Sequence, residues 1–386
     1  MTTDVLIPVR PEDLPRDRKV LGLSLIERLE KPARRNGFRA EVISRGGAPG
    51  GAPGVFAVVF PRLVLSASGW KKLALAVPGP ETALFAGGTD AVALVRTEKK
   101  DRVLEALSRC RGPEDWKRDI GSFLTLEAMT LDEKDWAPAA AESDVPFLER
   151  WLLRGLVKDT EGFMSKHLER KISLFVTSRL AGLPVSPNAM TLISAGIGLA
   201  GAALFLGSGV LLHAAGALLF WLHSVLDGCD GEIARLKFLE SRLGGILDFW
   251  SDNAVHAAVF SAIAWGLYSR TGSAQALAAG ALAVAGTLGS AGWVYAATMA
   301  GRDGSGPLFT SATGPAAEGK SGLEKAADFL ARRDFIYLVI GLAVFGRIEW
   351  FLYLGALGAP AYLAALLLFS RAEKGTCERV RAGTSS

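Results

Sequence analysis

Four aspartates define the chemistry this chain could do. Asp227 and Asp230 lie three residues apart and Asp248 and Asp252 four apart, within LDGCDGEIARLKFLESRLGGILDFWSDN from Leu226 to Asn253. On a helix these spacings put each pair on one face. Gly231 and Ala234 share the face of the first pair, and Gly244 sits one turn before Asp248. Carboxylates near an apolar membrane interior are costly and need partners, and Arg235 alone cannot neutralise four of them. Oxygen-only donors, with no His or Cys at ligand spacing, point to Mg²⁺, Mn²⁺ or Ca²⁺ rather than zinc. Two such ions side by side favour in-line displacement at phosphorus. The small residues leave room for an extended group to approach the backbone. The alternative is a polar network between packed helices, although no structural need calls for four acids and three small residues on one grid.

The elements that must carry this grid are apolar. Residues from about 187 to 371 are dominated by Ala, Leu, Gly and Val in runs near membrane-span length. The pattern predicts an all-α bundle of six transmembrane helices, at 188–206, 209–234, 244–268, 274–299, 334–347 and 350–370, the fifth being short. Arg235, Lys237 and Arg242 lie between spans two and three, and Arg302, Lys320, Lys325, Arg332 and Arg333 between four and five. The tail adds Arg371, Lys374, Arg379 and Arg381, whereas the alternate loops carry at most one basic residue. The positive-inside rule then puts both termini in the cytoplasm. It brings all four acids to one depth, near the inner surface of the cell membrane.

The pattern D-x-x-D-G-x-x-A-R, eight residues, then G-x-x-x-D-x-x-x-D resembles the signature of the CDP-alcohol phosphotransferase (CDP-alcohol phosphatidyltransferase) family. Ser186-Pro187-Asn188 and Thr191, opening span one, look like the family's P-N-x-x-T segment. The resemblance implies a divalent-metal-dependent membrane transferase. Asp227, Asp230, Asp248 and Asp252 would hold two Mg²⁺ or Mn²⁺ ions on the diphosphate of a CDP-alcohol, and Asp252 would also be the base for the acceptor hydroxyl. That hydroxyl attacks phosphorus and CMP leaves. Gly231, Ala234, Arg235, Gly244, Asn188 and Thr191 would bind the CDP-alcohol. The product would be a phospholipid or an inositol-type phosphodiester, with inositol or inositol phosphate as possible acceptor, and the enzyme a homodimer. For a phosphorylated acceptor, Lys166, Arg170, Arg332 and Arg333 are candidates, and the same charges would equally serve topology. His223 and His256 each lie one turn outside the acids, either as supports of the cluster or as buried, satisfied histidines.

The first half reads differently. Val5–Val9, Arg39–Ser44, Val55–Phe60 and Asp90–Val95 are strand candidates, and Gly22–Gly37 and Lys99–Ser108 helix candidates. Together they predict a cytoplasmic α/β domain over residues 1–140. GGAPGGAPG (46–54) reads as a flexible loop and DWAPAAAESD (135–144) as a linker. Residues 145–182, with Arg154, Lys158, Lys166, Arg170, Lys171 and Arg179 among Trp151, Leu152 and Phe163, form a basic juxtamembrane segment suited to a headgroup boundary or to an ordinary solvated face. The membrane domain follows at 183–375 and a tail at 376–386. The layout is similar to the branch of di-myo-inositol-phosphate-phosphate synthases, whose bifunctional members carry a cytidylyltransferase domain. Here the first strand is followed by RPEDLPRD, which lacks the glycines a phosphate-cradling loop needs. The domain is therefore expected to be a silent relative of a nucleotidyltransferase, the alternative being a second, cytidylyltransferase activity.

Composition narrows the rest. Half of the 386 residues are hydrophobic, which excludes a disordered chain. Three isolated cysteines make no disulfide framework. A net charge of +4 is too small to imply nucleic acid. MTTDVLIPVR has no apolar run long enough for a secretory leader.

Overall fold

The computed structural model describes residues 3–9, 18–44, 54–86, 89–157, 168–300 and 335–383, with side chains to residue 368. The GGAPGGAPG loop up to residue 53, Lys166 and the 301–334 segment, with Arg332 and Arg333, lie outside the described residues. The chain divides into two compact units, one formed chiefly by Met1–Leu156 and the other chiefly by the later helices.

The first unit is built on a six-stranded mixed sheet. Its strands are β1 (Asp4–Val9), β2 (Arg39–Ser44), β3 (Val55–Val59), β4 (Thr82–Ala86), β5 (Val92–Arg96) and β6 (Thr125–Met129), in the order β2-β1-β3-β5-β4-β6. β1 runs parallel to β2 and β3, whereas β5 is antiparallel to both neighbours. Every residue of β1 is buried, so the strand reads as a continuous apolar run rather than an alternating one. Trp70 and Trp116, each 0% exposed, pack on this sheet from helices Ala67–Leu75 and Pro113–Ile120.

Helix α1 (Leu25–Arg35) starts on a capping box. The Glu27 amide donates to the Ser24 hydroxyl at 3.2 Å, and the Ser24 amide donates to the Glu27 carboxylate at 2.9 Å. Pro32 lies inside the helix and is buried. The 135–144 segment is no linker. Trp136–Pro138 pairs antiparallel with Leu63–Leu65, and Ala137 and Ala139 are fully buried. Asp135 anchors it, accepting from Lys72 Nζ at 2.6 Å, Ser68 at 2.5 Å and the Asp132 amide at 2.9 Å. Burial works to raise this carboxyl, but the Lys72 ammonium and the other donors hold it down at about 2. Helix Val145–Arg154 falls within this first unit.

The second unit is helical. Its described helices are α2 (Arg170–Leu180), α3 (Pro187–Leu204), α4 (Val210–Lys237), α5 (Arg242–Thr271), α6 (Ala274–Thr298), α7 (Phe335–Val344) and α8 (Ile348–Gly383). Among the described residues four segments are long and apolar enough to cross a membrane: α3, α4, α6 and Ile348–Leu368 of α8. The six helices fall where six spans were expected, yet two do not meet that standard. α5 is 30 residues long but carries Arg242, Asp248, Asp252 and Asn253 in its first half. α7 has 10 residues, a rise of about 15 Å against a hydrocarbon core of about 30 Å. Small residues let the helices close up. A Cβ on Gly201 of α3 would stand 2.9 Å from the Gly216 carbonyl of α4, so a side chain there would push the two backbones apart.

Candidate active site

Local sequence fixes where α3 and α5 begin. Ser186 caps α3, accepting from the Ala189 amide at 3.2 Å, with Pro187 in the first turn. Ser241 caps α5, accepting from the Gly244 amide at 3.0 Å. Asn188 and Gly244 meet here, since a Cβ on Gly244 would lie 3.0 Å from Asn188 Oδ1. α4 ends beside this point. Phe238 takes a left-handed conformation (φ 57°), and the Leu239 amide donates to the Ala234 carbonyl at 2.8 Å.

These ends bring the four aspartates together. Asp227 and Asp230 are each 5% exposed. Asp230 accepts from the Thr191 hydroxyl and the Gly231 amide, feels the charge of Asp227 and shares a side-chain hydrogen bond with Asp248. Oxygens of Asp227 and Asp252 lie within 4.8 Å of each other and of a His223 ring nitrogen. Each acid of the grid therefore touches or approaches another acid. Two like charges about 4 Å apart cost roughly 4 kcal/mol even at an effective dielectric of about 20. A proton shared between two of the acids, or a cation in their midst, relieves that repulsion. The donor set, dominated by carboxylate oxygen, fits hard divalent cations.

The neighbouring residues take varied positions. Thr191 is buried on Asp230, Ala234 is buried, and Asn188 is exposed at the start of α3. Arg235 folds back towards Gly231, where a Cβ would stand 3.0 Å from its Nη1. It lies within electrostatic reach of Arg170, Glu232, Glu240 and Asp230. Part of the room at Gly231 is thus taken by the chain's own guanidinium. Arg170 pairs with the fully buried Glu232 at 2.5 Å. Glu232 also accepts from Ser173 and Thr177, both at 2.6 Å, which ties α2 to α4.

One feature escaped the sequence, and another was left open between two readings. The first is this Glu232 network, whose members lie 55 to 62 residues apart. The other is His223. It is 1% exposed, its Nε2 lies 3.4 Å from Asp252 and its Nδ1 lies 3.0 Å from the Ser194 carbonyl. Its position four residues before Asp227 is a ligand spacing, contrary to the reading that no His stood at one. His256 packs instead among Phe220 and Phe335 rings, at 5.4 and 5.9 Å.

Known proteins resemble part of this chain. A bifunctional IPC transferase and DIPP synthase of Archaeoglobus fulgidus is 35% identical over 173 residues, 44% of this chain and 34% of its own length. One of the same name from Rubrobacter xylanophilus is 33% identical over 191 residues, 48% of this chain and 42% of its own length. A phosphatidylinositol phosphate synthase of Corynebacterium glutamicum is 36% identical over 107 residues, 28% of this chain and 48% of its own length. The chain spans less than half the length of these curated relatives. Residues 184–358 match the model of the CDP-alcohol phosphatidyltransferase family, and they cover every aspartate of the grid and the capped starts of both α3 and α5. Over residues 184–358 the helical unit is therefore similar to the CDP-alcohol phosphatidyltransferase family.

Proposed function

We propose that the protein transfers a phosphoalcohol from a CDP-alcohol to an acceptor hydroxyl and releases CMP. The observation that carries this is the approach of Asp227, Asp230, Asp248 and Asp252 to one another at one end of α4 and α5. When bound there, two divalent cations such as Mg²⁺ or Mn²⁺ would neutralise the diphosphate and the charge that develops on the departing CMP. The chain's own groups do the rest. Asp252, at the half-exposed edge of the cluster, receives the proton of the acceptor hydroxyl as its oxygen bonds to phosphorus and the bond to CMP breaks. Thr191 and His223 hold the carboxylates in place, and Gly244 lets the nucleotide approach the capped start of α5. Arg235 offers charge to a phosphate oxygen.

A lipid-linked donor such as CDP-diacylglycerol is favoured by an open groove of about 360 Å³ between α3 and α5, further along the same two helices. Leu199, Ala202, Leu206, Ala258, Ala262 and Trp265 line it, a surface suited to an acyl chain. The relatives' names support inositol or inositol phosphate as acceptor. A second reading adds a cytidylyltransferase activity in the α/β unit. The word bifunctional in the relatives' names favours it, and the absence of glycine from RPEDLPRD opposes it. In our reading six helices span the cell membrane with both termini in the cytoplasm, and two copies pair through small residues.

The test is to incubate purified full-length protein with Mg²⁺, a panel of CDP-alcohols and hydroxyl acceptors, and follow CMP. We expect CMP with a CDP-lipid plus inositol or its phosphate. No CMP with any pair would end the proposal. CTP consumption with inositol phosphate by the same protein would establish the second reading.

A further inference from the structure

We infer that His223 is a ligand, through Nε2, of the cation that Asp227 and Asp252 would hold. The inference deepens the metal-dependent reading above and rests on it. Spacing comes first. His223 and Asp227 lie one turn apart on α4 and so face the same way, towards Asp252 on α5. Distance comes next. The Nε2 and one oxygen from each carboxylate lie within 4.8 Å of one another. Donors of one metal ion stand roughly 3–4 Å apart when each bond is about 2.1 Å, so small side-chain adjustments would close the shell.

Orientation carries the argument furthest. Nδ1 lies 3.0 Å from the Ser194 carbonyl. A carbonyl only accepts, so Nδ1 holds the proton of the neutral ring and Nε2 presents its lone pair to the acids. Among the described residues Nε2 has no hydrogen-bond partner, although the ring is 1% exposed. Its 3.4 Å approach to Asp252 is long for an N–H···O bond. Anchoring one ring nitrogen on a backbone carbonyl while the other faces carboxylates is the arrangement of ligating histidines. The ring is also held on both sides. Phe220 stacks on it at 6.3 Å and 19°, and a Cβ on Gly198 would come within 2.9 Å of its Cγ. An imidazole in the shell would tilt preference from Mg²⁺ towards Mn²⁺ and later first-row metals.

The competing arrangement is an imidazolium paired with Asp252, which leaves no nitrogen for a metal. Pulsed electron paramagnetic resonance of the full-length protein loaded with Mn²⁺ separates the two, because only a ligating imidazole gives a strong ¹⁴N coupling. We expect that coupling in the unmodified protein, its loss in His223→Gln and its retention in His256→Gln. The Mn²⁺ affinity of His223→Gln should fall about tenfold or more, with a smaller loss for Mg²⁺. Bound Mn²⁺ without ¹⁴N coupling in the unmodified protein overturns the inference and leaves the metal-dependent transferase standing. So does a coupling that survives His223→Gln. Failure to bind Mn²⁺ at all overturns both.

Discussion

The protein buries acids in two ways. In the α/β unit Asp135 is wrapped by Lys72, Ser68 and the Asp132 amide. In the helical unit Glu232 is treated alike, by Arg170, Ser173 and Thr177. The four aspartates of the grid instead lie beside one another, with a histidine nitrogen among them. Asp135 and Glu232 each face a cationic side chain, whereas the grid acids face one another, an arrangement suited to something that arrives with positive charge. That contrast separates positions that hold the fold from positions that carry the reaction, and it can be broken by substitution.

The largest effect is expected at the grid. Asp227→Asn or Asp248→Asn should slow CMP release by about a thousandfold, the several kcal/mol that metal-borne charge stabilisation supplies. Neither should lower the metal-free melting temperature, since each removes like-charge repulsion. Glu232→Gln should do the reverse. Breaking the buried Arg170–Glu232 pair removes its charge attraction, at a cost of about 3 kcal/mol, to be read from thermal melting in detergent. A valine or larger residue at Gly198 should cost about 1–3 kcal/mol by overpacking against Val255 and His223, and it should weaken Mn²⁺ binding by displacing the ring.

The smallest effect is at Asp135. Its carboxyl is held at about 2 against an ordinary 3.8, so its contribution is complete above about pH 4 and disappears as pH falls towards 2. Asp135→Asn should therefore lower stability by about 1 kcal/mol at pH 7. The gap between the two urea midpoints should narrow between pH 4 and pH 2. A constant gap across that range would show that charge is not what Asp135 contributes.

Much of the helical unit was legible because helix geometry turns spacing into position. Intervals of three and four fixed the faces of both aspartate pairs, and the Ser-Pro-Asn and Ser241 segments marked where α3 and α5 start. His223 was set aside by counting turns outwards from the acids, although the same rule of four ties it to Asp227. The Glu232 network depends on α2 meeting α4, a pairing that no local pattern encodes. In the α/β unit, β1 showed as an apolar run, and β2, β3 and β5 fall on strand candidates. Trp136–Pro138 did not, since its alanines and prolines read as a linker and its partner Leu63–Leu65 lies some seventy residues earlier. β6 was hidden because its first four residues, Thr125 to Ala128, are exposed and the strand lies at the sheet edge.

The account turns on what the gathered aspartates are for, and melting temperature with and without a divalent cation asks this most directly. A ligand that binds only the folded state raises stability in proportion to the logarithm of its concentration over Kd. Mg²⁺ or Mn²⁺ should therefore raise the melting temperature of the unmodified protein, and the rise should be lost in Asp227→Asn and Asp248→Asn, whose metal-free melting is no lower than the original. If the cation leaves melting unchanged while these substitutions destabilise the metal-free protein as Glu232→Gln does, the aspartates are structural and the account is wrong.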